Sequence, residues 1–106
     1  MDTPTTQARP LLLNLQQQLQ QRLAKVQQDL QAAHETDSTE QAQQRENDEV
    51  LTDLAGHLQT ELLQVHMALE REAAGQYGVC VACGDDISDS RLRIVPFASH
   101  CQHCAH

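Results

Sequence analysis

Aromatic side chains are almost missing from this sequence: its 106 residues include one Tyr, one Phe and no Trp. An ordinary globular core relies on several aromatics, each of which buries a large area. Their scarcity excludes a compact central core over most of the chain. It points instead to an elongated helical architecture, or to folding held by something other than apolar burial. Basic residues are also few, with 7 Lys+Arg against 15 Asp+Glu and a formal net charge of -8. Binding to a phosphate backbone is driven by neutralising phosphates with basic side chains, so direct DNA binding is not expected. An anionic membrane surface is disfavoured for the same reason, and a protein partner fits better. Long apolar runs are missing too. Near the start the apolar run extends only from Leu11 to Leu13, with no basic segment before it. No signal peptide or membrane span is expected, and the cytoplasm is the expected location. The length allows one domain at most.

What is present is helical periodicity. Residues 1–9 carry Thr, Pro and Gln and are read as a flexible N-terminal arm. From Pro10, which suits a first helical turn, Leu12, Leu19, Val26 and Ala33 recur every seven residues, and Leu23 and Leu30 follow four after Leu19 and Val26. This is a heptad seam with Gln16 as its polar exception. Beyond it, Asp37 or Ser38 can cap a second helix, and Ser38 with Gln41 has capping-box spacing. The second stripe is Leu51, Leu54, Leu58, Leu62, Val65 and Leu69, and Gly75 and Gly78 are natural stops. Folding back near 36–39 pairs Val26 with Leu51, Leu23 with Leu54 and Leu19 with Leu58 in one register. The predicted fold is mainly α: an antiparallel two-helix coiled-coil hairpin over 10–76, with its tip near 36–42, followed by a small four-Cys zinc finger over 77–106. A monomer follows from the hairpin; the alternative is an intermolecular coiled coil.

The four cysteines, Cys80, Cys83, Cys101 and Cys104, are spaced C-x2-C-x17-C-x2-C. Each C-x-x-C lets two thiolates of one tight turn approach one ion, and the excursion brings back a second such turn to complete a tetrahedron. A reducing cytoplasm favours metal ligation over disulfides. The expected cofactor is one structural Zn2+, because four protein ligands leave no open position for water or substrate. Iron in the same cage, a redox dithiol and disulfides are the alternatives. Val79, Val81, Ile87, Leu92, Ile94, Val95 and Phe97 are a meagre apolar set, so the metal should supply much of this segment's folding free energy. His100, His103 and His106 flank the last two cysteines and are read as exposed, with added metal ligation as the alternative. His34, His57 and His66 are read as surface or seam-edge residues. With no Gly-rich phosphate loop and no strand–turn–Ser element, no enzyme is expected.

A hairpin followed by "YGVCVACGDDISDSRLRIVPFASHCQHC" resembles the DksA/TraR family of bacterial zinc-finger transcription regulators. The family's pattern matches at Tyr77, Gly78, Cys80, Cys83, Gly84, Ile87, Arg91, Leu92, Pro96, Cys101 and Cys104. Longer members carry D-x-x-D-x-A at the hairpin tip. Here "DSTEQA" supplies Asp37, Glu40 and Ala42, with Glu in place of the second Asp. The resemblance implies a protein that binds bacterial RNA polymerase rather than DNA. Its hairpin would enter the secondary channel, and its acidic tip would modulate initiation near the active centre. The family's two basic positions that help hold ppGpp, one just before the proline and one just after the last cysteine, are Val95 and Ala105 here, so ppGpp co-regulation is doubtful. A different reading of the residues is a generic zinc-ribbon interaction module with a dimerising coiled coil. A third is a redox- or zinc-responsive switch.

Overall fold

The computed structural model describes residues 4–35 and 41–105, with side chains over 8–32 and 47–105. Helix α1 runs Pro4–Glu35, α2 runs Gln41–Ala73, and a short α3 runs Asp89–Ile94. Among the described residues there is no strand, only an isolated antiparallel bridge between Val79 and Asp86. Leu, Gln, Glu, Arg and Ala fill the long helices, residue types that lose little rotamer freedom in a helix. No helix among the described residues is long and apolar enough to cross a membrane.

The chain divides into two compact units. One joins the residues up to Gln16 with Leu63–His106, and the other is Gln17–Leu62. In the first, Ala8 and Leu12 on α1 and Val65 and Ala68 on α2 are fully buried. The Arg9 guanidinium meets the Glu72 carboxylate at 3.0 Å. The start of α1 therefore lies beside the end of α2, which is the antiparallel arrangement. That ion pair is largely exposed and contributes little; the apolar contacts decide the packing. In the second unit Leu19 and Val26 are buried on α1, and Ala55 and Leu58 on α2.

Two expectations are corrected. Pro10 does not open α1 but lies inside it, since the helix already runs from Pro4, so residues 4–9 are helical and not part of the flexible arm expected over 1–9. A mid-helix proline forfeits one backbone hydrogen bond and crowds the preceding turn. Buried Ala8 and Leu12 and the Arg9–Glu72 pair flank Pro10 and hold this end of α1 against α2. The second correction concerns Leu54, which is 42% exposed, while Ala55 beside it is buried. The α2 seam thus reads Leu51, Ala55, Leu58, Leu62 and Val65, with alternating steps of four and three, and widens towards its end to take in fully buried Ala68 beside half-buried Leu69. That strict alternation keeps one side chain per half-heptad on the seam, so a small Ala at the right phase is buried in preference to a Leu one residue off it. The expected capping residues Asp37 and Ser38 lie outside the described residues.

The end of α2 is sharp. Gly75 takes φ 74, the Gln76 amide donates to the Arg71 carbonyl at 2.7 Å, and the Gly75 amide to the Glu72 carbonyl at 3.1 Å. This is a Schellman cap, and a left-handed residue is what it requires. It turns the chain out of the helix directly into Tyr77. Leu12→Ala should lower stability by about 2–5 kcal/mol, because it opens a cavity in a fully buried site. Chemical denaturation followed by circular dichroism measures this, and a loss below ~1 kcal/mol would contradict the packing described.

Candidate metal centre

The segment after α2 builds two similar turns. In the first, the Cys80 amide donates to the Asp85 carbonyl at 2.8 Å and the Ile87 amide to the Gly78 carbonyl at 2.7 Å, closing a short loop around Cys80–Asp85. Inside it the Gly84 amide returns to the Cys80 carbonyl at 2.9 Å, and Gly84 adopts φ 79, a region that a side chain disfavours. In the second turn the Ala105 amide makes the equivalent bond to the Cys101 carbonyl, also at 2.9 Å. The Val81 amide donates to the Ser99 carbonyl at 2.9 Å and ties one turn to the other. Between them α3 starts at Ser88, whose hydroxyl accepts from the Arg91 amide as its N-cap. Leu92 of α3, with Tyr77, Ile87 and Ala98, forms the small buried apolar set.

These turns converge four sulfurs. The thiols of Cys80, Cys83, Cys101 and Cys104 all lie within 4.8 Å of one another, and Cys83 Sγ is 3.6 Å from Cys101 Sγ. A disulfide needs about 2.05 Å. A tetrahedral zinc with bonds near 2.3 Å separates its sulfurs by about 3.8 Å. The spacing fits the ion and not a bridge. Cys80 and Cys101 are buried, Cys104 is half-buried and Cys83 is exposed.

The electrostatics of the cage also call for a cation. Backbone amides, first that of Cys101 and then those of Cys83 and Ala82, donate towards the Cys80 sulfur and lower its pKa to about 6. At Cys83 the Asp85 amide favours the thiolate, but side-chain hydrogen bonds with Cys80 and Cys101, together with burial, outweigh it and raise the pKa. Cys104 is pushed up to about 12, chiefly by its hydrogen bond with Cys101 and then by those with Cys80 and Cys83. One thiol ionises readily and the last resists, because hydrogen bonds within the cage hold its proton; four thiolates could share so small a volume only with a positive charge among them. A dication supplies that charge.

Three side chains hold the stretch from Pro96 to His100 that leads into Cys101. The Tyr77 hydroxyl donates to the Pro96 carbonyl at 2.8 Å, Arg71 Nη2 to the Phe97 carbonyl at 3.4 Å, and Arg91 Nε to the His100 carbonyl at 3.0 Å. Burial raises the Tyr77 pKa and lowers that of Arg71. Tyr77, Arg91 and Pro96 stood out in the sequence motif. Arg71 did not, and its only signal there was a basic residue in the last turn of α2. Among the described residues the histidines stay outside the cage: His100 Nδ1 pairs with the Ser99 hydroxyl at 2.8 Å, and His103 is exposed. His66 meets Glu70 at 3.3 Å on an exposed face of α2, and His57 is exposed. His106 and the side chain of His34 lie outside the described residues. So do Asp37 and Glu40 of the expected tip; Ala42 is in α2, with its side chain not described.

Fold and site together define a small four-cysteine zinc finger that continues from a pair of long antiparallel helices. Residues 9–72 match the DnaK suppressor protein-like N-terminal domain, and residues 75–106 the prokaryotic DksA/TraR C4-type zinc finger. The chain belongs to the DksA/TraR family of transcription regulators and carries its one structural zinc finger. Its structure is similar to that of transcription factor DksA2 from Pseudomonas aeruginosa, with TM-score 0.86 and 30% identity over 94% of this chain and 78% of that one. It is also similar to the DnaK suppressor protein of Agrobacterium tumefaciens C58, with TM-score 0.65 and 36% identity over 98% and 93% of the two chains. An uncharacterized protein of Aquifex aeolicus is 34% identical over 58 residues, a match that spans 55% of this chain and 40% of that relative.

Zinc binding at neutral pH should release protons from at least Cys83 and Cys104, whose thiols are held above their usual range. Affinity should therefore fall as pH is lowered, since protons then compete with the ion for the same sulfurs. Calorimetry in two buffers of different ionisation enthalpy counts the protons, and a buffer-independent enthalpy would refute the ligand set. Chelation of zinc, or Cys80→Ser, should abolish the thermal transition of residues 77–105 while leaving most far-ultraviolet helicity in place. Retention of that transition without metal would show that the apolar set suffices.

Proposed function

We propose that this protein is a cytoplasmic, monomeric, non-enzymatic regulator of bacterial RNA polymerase, acting through the polymerase's secondary channel and not on DNA. The observation that carries the proposal is that both parts of the family's architecture match in order along the chain, the helical domain over 9–72 and the finger over 75–106. In this reading Cys80, Cys83, Cys101 and Cys104 ligate the structural zinc, and the chain works as a hairpin over 10–76 and a finger over 77–106. Asp37, Glu40 and Ala42 act at the tip, near the polymerase active centre. The acidic balance of the chain supports a protein partner over nucleic acid.

A cavity of about 390 Å³ next to the finger bears on nucleotide co-regulation. Its lining includes Val95 and Ala105, the two positions where the family's resemblance calls for basic residues, and Arg91 as a cation. Arg91 Nε is already engaged with the His100 carbonyl. With apolar side chains at both positions, the cavity offers little to a nucleotide with two diphosphates, which speaks against ppGpp co-regulation.

The decisive experiment is a binding and transcription assay with purified bacterial RNA polymerase on a ribosomal RNA promoter, with and without ppGpp. No binding and no change in transcript at micromolar protein would sink the proposal. Replacing Asp37 and Glu40 by Asn and Gln should leave polymerase binding within about twofold while reducing the transcriptional effect by roughly tenfold or more, since the charge at the tip is removed without altering the seam. If both binding and effect persist unchanged, the tip carries no such role.

A further inference from the structure

Three departures from ideal helix chemistry fall within one segment of α2, all inside the unit Gln17–Leu62. The first is Asp48. The seam steps of four and three that run through Leu51, Ala55 and Leu58 place residue 48 at the preceding core position, three before Leu51. The side chain there is an aspartate, and its Oδ1 is buried without a hydrogen-bond partner. A carboxylate oxygen removed from water and left unpaired is unfavourable, and a polar residue at a heptad core position lowers coiled-coil stability. The second is Gly56, which lies in the helix interior with an ordinary helical φ. A Cβ there would meet nothing within 4 Å, so no close packing explains the glycine. Glycine in a helix interior is less stable than alanine by about 0.5–1 kcal/mol. The third is Thr60, whose hydroxyl donates back to the Gly56 carbonyl at 3.0 Å. Such a bond competes with the helix ladder and bends helices. The same stretch leaves Val50 and Leu54 exposed, at 66% and 42%, so its contribution to the seam falls to Leu51, the small Ala55 and Leu58.

We propose that α2 contains a built-in soft segment, Asp48 to Thr60, which begins at the unpartnered Asp48 carboxylate and opens locally before the rest of the helix. Each feature alone is a common departure from ideal helix chemistry. Together they lower the cost of opening in one stretch of α2, whereas Leu19 and Val26 of α1 are well buried in the same unit. The consequence is a hairpin arm that can bend or loosen at a defined place without unfolding its seam elsewhere. The inference stands independently of the polymerase reading, because it concerns only the energetics of α2.

Native-state amide hydrogen exchange on the full zinc-loaded chain tests it. In the wild type, amides between 48 and 60 should exchange faster than those of the seam around Val65 and Ala68. Asp48→Leu should slow exchange across 48–58 by about tenfold, and Gly56→Ala by about fivefold, with amides of residues 77–105 unchanged as an internal reference. Asp48→Asn, which removes the charge but keeps the shape, should also slow exchange, by less than the leucine does. If the leucine variant associates on sedimentation, the asparagine and alanine variants decide the matter. Exchange that is unchanged or faster in Asp48→Asn and Gly56→Ala would overturn the proposal, since the carboxylate would then be favourable where it sits.

Discussion

Everything after α2 depends on four thiols being held in one small cage. Their sulfurs lie within 4.8 Å of one another, and the chain around them offers only a thin apolar set, with Tyr77, Ile87, Leu92 and Ala98 buried. Hydrogen bonds with Cys101, Cys80 and Cys83 hold the proton of Cys104, while Cys80, which accepts from backbone amides, gives up its proton more easily; four thiolates at that spacing would repel one another strongly. A dication turns that repulsion into the strongest attraction in the segment. The two knuckle turns, the Val81–Ser99 link and the placement of α3 all serve to hold the sulfurs at that spacing.

The cage is coupled to the helices through a single stretch of backbone. The carbonyls of Pro96, Phe97 and His100 accept from Tyr77, Arg71 and Arg91, which come from the linker, from α2 and from α3. The stretch they hold runs straight into Cys101. The Schellman cap at Gly75 aims the chain so that Tyr77 reaches Pro96. Ordering of the second knuckle and the orientation of the end of α2 are therefore linked by short polar contacts as well as by apolar burial. This is the means by which a chain with one Tyr and one Phe makes a defined junction.

Much of this architecture is legible in the residues. Heptad spacing marks both long helices, and the C-x2-C-x17-C-x2-C spacing marks the cage. The less legible parts are those where neighbouring candidates compete. Leu54 and Ala55 are adjacent, and hydrophobicity favours the leucine, yet the phase of the seam buries the alanine. Pro10 carries a strong signal for a helix start, but packing of Ala8 and Leu12 on either side extends the helix past it. Arg71 looks like any basic residue at a helix end, and only the return of the chain at Phe97 gives it a partner. Asp48 looks like one more surface acid, yet beside the seam it is half-buried with its Oδ1 shielded and unpartnered.

The sequence by itself determined that the protein is helical, acidic and organised around four cysteines, because period and spacing are properties of the chain alone. Tertiary structure decided which residues fill the seam, which carbonyls the three donors capture, and which thiol ionises first. Those outcomes depend on what the chain brings back from a distance: the second knuckle against the first, and the end of α2 against the stretch before Cys101. Local pattern specifies which residues are eligible for a place in the interior. Packing and desolvation select among them, and that selection separates a surface acid from a seam carboxylate and a C-x-x-C pair from a metal cage.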